Sequence, residues 1–196
     1  MAFPARLLAF SMLLIIYQAH SSVARNTYSA MEVADDAAIK ALQTKIRYQF
    51  KDRILLMRAV THASYSIDNN GALSVLGYNI IEAALSLRYV LNNSAIGSGD
   101  LHSKVAELSN CTALSEDAFD LQLNDLVRVA PKVNPKKQSI LCGCYRALFG
   151  AIGADAKSLD IAREKFWTRQ GWNSPKIMEK HLTQGGLHLE VLDNID

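Results

Sequence analysis

The sequence holds none of the short signatures that announce a chemistry. It has no G-x-x-x-x-G-K-[ST] phosphate loop, no G-x-S-x-G elbow and no H-E-x-x-H pair, and no cysteines and histidines at metal-binding spacing. The five histidines, His20, His62, His102, His181 and His188, are scattered. P-loop nucleotide hydrolysis, α/β-hydrolase ester chemistry and zinc peptidase chemistry are therefore without their machinery. No run alternates apolar and polar residues with period two, which argues against sheets. Repeats and low-complexity segments are absent. The formal net charge is only +2, so the surface as a whole does not attract polyanions, and a nucleic-acid partner would need a local basic patch.

The apolar run near the N-terminus, Leu7 to Tyr17, is about eleven residues, too short for one bilayer crossing at roughly 20. It follows a single charge, Arg6, and precedes small residues ending Ser22-Val23-Ala24. A basic start, a short apolar centre and a small-residue end describe a secretory signal peptide. The reading is a signal peptide over 1–24 cleaved before Arg25, with Ser21 as a second end. No integral membrane segment then remains. This places the chain in the secretory pathway: the endoplasmic reticulum lumen, the nuclear envelope or outside the cell. The alternative is an organelle transit peptide and a mitochondrial or chloroplast address.

Cysteines number 3, namely Cys111, Cys142 and Cys144. An odd count in a lumenal chain leaves at least one free thiol or an intermolecular bridge. Cys142 and Cys144, two apart on a helix, face different sides and cannot pair. Cys111 can reach one of them, but the favoured reading is three small buried hydrophobes. Two sequons, Asn92-Asn93-Ser94 and Asn110-Cys111-Thr112, make Asn92 and Asn110 candidate glycan acceptors. Asn92 is expected at an exposed helix end, and Asn110 inside a helix.

What the sequence does have is helical periodicity almost throughout, which predicts an all-α fold. After a linker over 25–36, Ile39, Leu42 and Ile46 mark a first helix over 37–50. Asp52 is the expected N-cap of "RILLMRAVTHAS". "GALSVLGYNIIEAALSLRYVL", Gly71 to Leu91, is a long apolar helix ending near Asn92. Asp100 is expected to cap the next helix and Ser115 a short one after it. Ser139 is placed before "ILCGCYRALFGAIGAD", and Ser158 opens the helix that follows. A last short helix is expected in the tail, 171–196. Gly77, Gly143, Gly150 and Gly153 lie inside helices, where each costs about 1 kcal/mol against alanine. Close helix packing is the expected reason.

Candidate functional side chains are few. His62, beside a helix end, reads as a structural hydrogen-bonding group. Lys132, Lys136 and Lys137 share a proline-containing loop and are candidate RNA or partner contacts. The plainer reading is a solvated loop, since no aromatic residues are interleaved with them.

The order of pieces is more telling than any one motif. "YQFKDRILLMRAVTHASYS", "NGALSVLGYNII", "GDLHSKVAELSNCTAL", "LNDLVRV" and "SILCGCYRALFGAI" together resemble the ribonuclease III endonuclease domain, over roughly Ile39 to Arg169. That resemblance implies a helical bundle over 37–170 that dimerises and cleaves double-stranded RNA with carboxylate-held magnesium. The family signature reads Asn-Glu-Arg-Leu-Glu-Phe-Leu-Gly-Asp. The same frame here runs from Asn70 to Tyr78 and keeps Leu73, Leu76 and Gly77. Its second Glu is Ser74 and its Asp is Tyr78. At the second half-site the family's Asp is Gly143 and its Glu is Arg146. All four carboxylate positions are thus replaced.

The resemblance with these substitutions implies a non-enzyme with no catalytic residue, no metal and no cofactor, acting as an interaction scaffold for an unknown protein partner. Glu82, one turn beyond Tyr78, or another acid is expected to neutralise Arg146 if that charge is buried. The family's partner-packing Phe is Val75, so a homodimer should be weak. Among degenerate relatives the likeness is to a short plant member tied to karyogamy, the fusion of polar nuclei in the female gametophyte. The alternatives are an RNA-binding pseudo-nuclease in organelle RNA processing and, behind it, a residual double-stranded-RNA endonuclease.

Overall fold

The structure, a computed structural model, describes residues 36–172. The signal-peptide reading, the linker up to residue 35, the tail helix, His20, His181 and His188 lie outside the described residues. By internal contacts the chain divides into two units, residues 1–44 and 45–196. Helix α1 occupies 36–45, with Ile39 and Leu42 buried at helical spacing as expected, but it stops short of the expected end at residue 50, in a turn where Arg47 is left-handed (φ 51°).

In the second unit the helices are α2 (Arg53–Ala59), α3 (Gly71–Asn92), α4 (Ser98–Ser109), α5 (Cys111–Asp120), α6 (Leu123–Leu126), α7 (Gln138–Ala156) and α8 (Leu159–Arg169). The described residues form no strand. One isolated parallel bridge joins Thr61 to Arg128. None of the described helices is long and apolar enough to cross a membrane.

Two start signals behave as the sequence suggests. Asp52 accepts from the backbone N–H of Ile54, and Ser158 from that of Ile161. Three others are corrected. The backbone enters α4 at Gly97, which leaves Asp100 in the first turn. Lys137 rather than Ser139 precedes α7. Asn110 is the N-cap of α5, accepting from the Ala113 N–H at 3.0 Å. Ser115 is instead buried mid-helix, its hydroxyl donating back to the Thr112 carbonyl at 2.9 Å. Asn and Ser are comparable caps, so composition does not choose between them. The corner after Ser109 does.

Helix α7 is the hub, packed against α2, α3, α5, α6 and α8. Its residues are buried on every side from Ile140 to Ile152, apart from half-buried Gly143 and Arg146, as expected of a helix apolar all round. Tyr145, Phe149, Phe166 and Trp172 form an edge-to-face series. The Trp167 indole N–H donates to the Ala84 carbonyl at 3.0 Å, tying α8 to α3.

The crossing of α3 and α7 is set by two glycines. A Cβ on Gly77 would lie 1.7 Å from the Arg146 carbonyl oxygen, and one on Gly150 would lie 2.0 Å from that of Leu73. No side chain fits there, so the two backbones touch. Gly143 is different: a Cβ there would meet only the Ser74 hydroxyl oxygen, at 3.9 Å. Packing explains Gly77 and Gly150, and does not explain Gly143.

Asp155, near the end of α7, anchors the chain before α2. Its buried carboxylate accepts from the Tyr48 hydroxyl at 2.6 Å and from the backbone N–H groups of Lys51 at 3.0 Å and Asp52 at 2.7 Å. Burial alone would raise its pKa. The three donors outweigh that and hold it below the ordinary carboxylate value. Burial, and after it the same bond, pushes the Tyr48 phenol up.

Candidate functional site

Ser74 and Tyr78 are four apart on α3, and Gly143 and Arg146 three apart on α7, so each pair shares one helix face. The close α3–α7 crossing turns these faces toward each other. Gly143 lies opposite Ser74, and the Arg146 guanidinium stands 4.6 Å from the centroid of the Tyr78 ring. The structure therefore brings all four sequence-identified positions together. None carries an anionic oxygen, and one carries a permanent positive charge.

Glu82 does not pair with Arg146, against expectation. The Tyr78 hydroxyl donates to the Glu82 carboxylate. That bond, then burial, raises the Tyr78 pKa above its usual value, with Arg146 pulling the other way. Arg146 instead stacks on the Tyr78 ring and donates from Nη2 to the Ser109 carbonyl at 2.9 Å. Its Nε is buried without a hydrogen-bond partner among the described residues. The physical reason is reach. Glu82 is a turn beyond Tyr78 on the same helix, so the phenol lies between it and the guanidinium, and a carbonyl at a helix end is a ready acceptor.

A second tie lies beside the first. Cys111, at the start of α5, is bonded to Cys142 of α7, with the two Cα atoms 5.1 Å apart. The expectation that all three cysteines are plain buried hydrophobes is corrected for this pair. It holds for Cys144, which is free and buried, its pKa pushed up to about 12 by burial. The sequence left a Cys111 bridge open without choosing a partner. Cys142, next to Gly143, is the one that faces the α4–α5 corner. The Ser109–Cys111 corner is thus fixed to α7 twice, by Arg146 and by the disulfide.

The remaining candidates fall elsewhere. Lys132, Lys136 and Lys137 are exposed in the loop before α7, with Lys132 in a left-handed backbone conformation (φ 70°). His62 is structural: its Nδ1 accepts from the Ser64 N–H at 3.1 Å, and its backbone N–H donates to the Arg128 carbonyl at 2.9 Å. Asn92 is exposed at the end of α3. Asn110 is exposed at a helix start, not inside a helix as expected. Val75 is 66% exposed. On α3 there is also a groove of about 320 Å³ against α8, lined by Leu76, Ile80, Leu87 and Leu159 among others. Sequence reasoning missed the Ser109 carbonyl, which no residue type signals, and the groove, which exists only once α8 is placed.

Comparisons with known proteins bear on this site. The pattern of the ribonuclease-III-like family matches residues 52–168. Protein NUCLEAR FUSION DEFECTIVE 2 of Arabidopsis thaliana is 40% identical over 138 residues, covering 70% of this chain and 72% of that protein. Ribonuclease 3 of Variovorax paradoxus is 36% identical over 62% of this chain, which spans 55% of that enzyme's length. The nuclease domain of ribonuclease III from Campylobacter jejuni, in a structure describing flexibility in a region involved in dimer formation, superposes with a TM-score of 0.64. It is 27% identical, over 67% of this chain and 94% of that one.

Proposed function

The chain belongs to the ribonuclease-III-like family, and from that premise we propose that it is a catalytically inactive member, a nuclease fold used as an interaction scaffold. The observation that carries the proposal is the convergence of Ser74, Tyr78, Gly143 and Arg146 with a guanidinium over the phenol ring. Magnesium takes hard anionic oxygen ligands in octahedral geometry. A hydroxyl, a phenol held by its own carboxylate, a hydrogen and a guanidinium do not fit it. Arg146 puts a fixed positive charge where the family would hold a divalent cation. No three Asp, Glu, His or Cys side chains gather elsewhere among the described residues to replace the set.

The biological setting we propose is nuclear fusion, following the likeness to NUCLEAR FUSION DEFECTIVE 2. A secretory-pathway address is supported by the signal-like start and by the Cys111–Cys142 bridge, since disulfides persist in oxidising compartments. The partner we propose is a protein. The apolar α3–α8 groove and exposed Leu159 leave surface of the kind proteins bury. A weak homodimer is part of this proposal, with Val75 in the place of a larger aromatic residue.

The exposed Lys132, Lys136 and Lys137 favour a second reading, an RNA-binding pseudo-nuclease in an organelle. A fluorescent fusion that leaves the N-terminus free tests both. Signal in the endoplasmic reticulum or nuclear envelope supports the scaffold. Organelle import, together with duplex-RNA binding that falls steeply with salt, supports the alternative.

A further inference from the structure

The two sequons sit in opposite structural situations. At Asn110-Cys111-Thr112 all three residues are engaged. The Asn110 Nδ2 donates to the Glu107 carbonyl at 2.7 Å, and its Oδ1 accepts from the Ala113 N–H at 3.0 Å. Cys111 is bonded to Cys142, and the Thr112 hydroxyl accepts from the Gln138 side chain at 3.0 Å. The tripeptide is folded into the α4–α5 corner and stapled to α7. At Asn92-Asn93-Ser94 all three residues are exposed, and the backbone leaves the helix at Asn93 (φ −147°, ψ 95°). The Asn92 side chain makes no hydrogen bond among the described residues, and the turn is held by Asn93 accepting from the Ala95 N–H.

We infer that Asn92 carries the chain's N-linked glycan and that the Cys111–Cys142 disulfide closes Asn110, which becomes an acceptor only when that bridge is prevented. The inference rests on the secretory-pathway reading. In the transfer, the Asn92 amide nitrogen loses a proton and bonds the anomeric carbon of an oligosaccharide. The sugar–phosphate bond of a lipid-pyrophosphate donor breaks, and the lipid pyrophosphate leaves. The acceptor amide must be free to enter an active site, which Asn92 offers. Asn110 has both amide atoms occupied, and the middle residue of its sequon is covalently held. The glycan would stand at the far end of α3 from Ser74, about five helical turns along the axis, whereas one on Asn110 would displace the corner that supports Arg146.

The test expresses the full chain in eukaryotic cells in two forms, one with its own N-terminus and one with residues 1–24 replaced by the cleavable leader of a secreted protein. Glycan number is read by peptide N-glycosidase mobility shift and intact mass. In the leader-swapped chain the expected number is one. It should fall to none in Asn92→Gln and stay at one in Asn110→Gln. It should rise to two in Cys142→Ser and in Cys111→Ser, which keeps an Asn-Ser-Thr sequon. Pulse-labelled nascent chains are scored, so variants that fail to fold still report, and dithiothreitol during the pulse should give two glycans on the wild type. A glycan on Asn110 with the disulfide intact, or an unmodified Asn92 on the leader-swapped chain, overturns the inference. Modification of the swapped chain but not the native one upholds the site assignment and removes the secretory reading alone.

Discussion

Arg146 and Tyr78 are the two residues that decide what the α3–α7 interface does: the guanidinium of one stands 4.6 Å from the ring centroid of the other. Tyr78 is bound in turn to Glu82, and Arg146 to the Ser109 carbonyl. The acid in this chain of contacts, Glu82, is committed to a phenol, and the Arg146 cation lies over that phenol's ring.

The glycines of this interface should separate cleanly by substitution. Gly77→Ala and Gly150→Ala drive a Cβ into backbone carbonyls at 1.7 and 2.0 Å, which can move only if the helices part. Each should cost about 3 kcal/mol or more, or prevent folding. Gly143→Ala meets nothing closer than 3.9 Å and should stabilise by about 0.5–1 kcal/mol through helix propensity. Urea melts of the three variants measure this.

Acid should expose the Asp155 anchor. Its folded pKa lies below the ordinary value of 3.8. The stability it contributes is therefore fully present above that value and is lost as pH falls through the lower, folded pKa. Asp155→Asn should flatten the acid limb of stability measured from about pH 6 to about pH 2. It should also lower stability at neutral pH by about 2 kcal/mol, because one oxygen becomes a donor facing donors.

Thiol chemistry should follow burial. The native oxidised protein should resist alkylation, because its one free thiol, Cys144, is fully buried with its pKa near 12. Mass spectrometry should find one labelled cysteine after unfolding and three after unfolding with reductant. Removing the bridge as Cys111→Ser/Cys142→Ser should cost about 3–4 kcal/mol, the loop-closure value for cysteines 31 residues apart.

Self-association should respond to Val75, which is 66% exposed on α3. Sedimentation should show a weak, concentration-dependent dimer. Val75→Phe restores the larger side chain and should tighten it by about 1–2 kcal/mol. An unchanged dissociation constant would move the contact elsewhere.

Much of this architecture is written locally. Asp52 and Ser158 cap the helices they precede, α3 runs from Gly71 to Asn92, and Gly77 and Gly150 sit where side chains cannot. The four replaced positions were legible only through the resemblance to the ribonuclease III signature, and helix periodicity added that each pair shares a face. What the sequence did not disclose depends on long-range partners. Asp155 binds backbone N–H groups about a hundred residues earlier, which no motif records. Arg146 chose a ring and a carbonyl over the expected acid because Glu82 sits beyond the phenol that binds it. Cys111 paired with Cys142 because the α4–α5 corner faces the first turns of α7, a matter of tertiary placement. Asn110 took the cap from Ser115 at that same corner.

The most direct test of the central claim is cleavage of a uniformly labelled RNA duplex by the purified, oxidised protein, with Mg²⁺ or Mn²⁺ against a chelator control. No metal-dependent cleavage is the predicted result at any protein concentration below that of the substrate. Multiple turnovers that require the metal and persist in Arg146→Ala would contradict it, since they would mean that other groups assemble the metal site that Ser74, Tyr78, Gly143 and Arg146 do not provide.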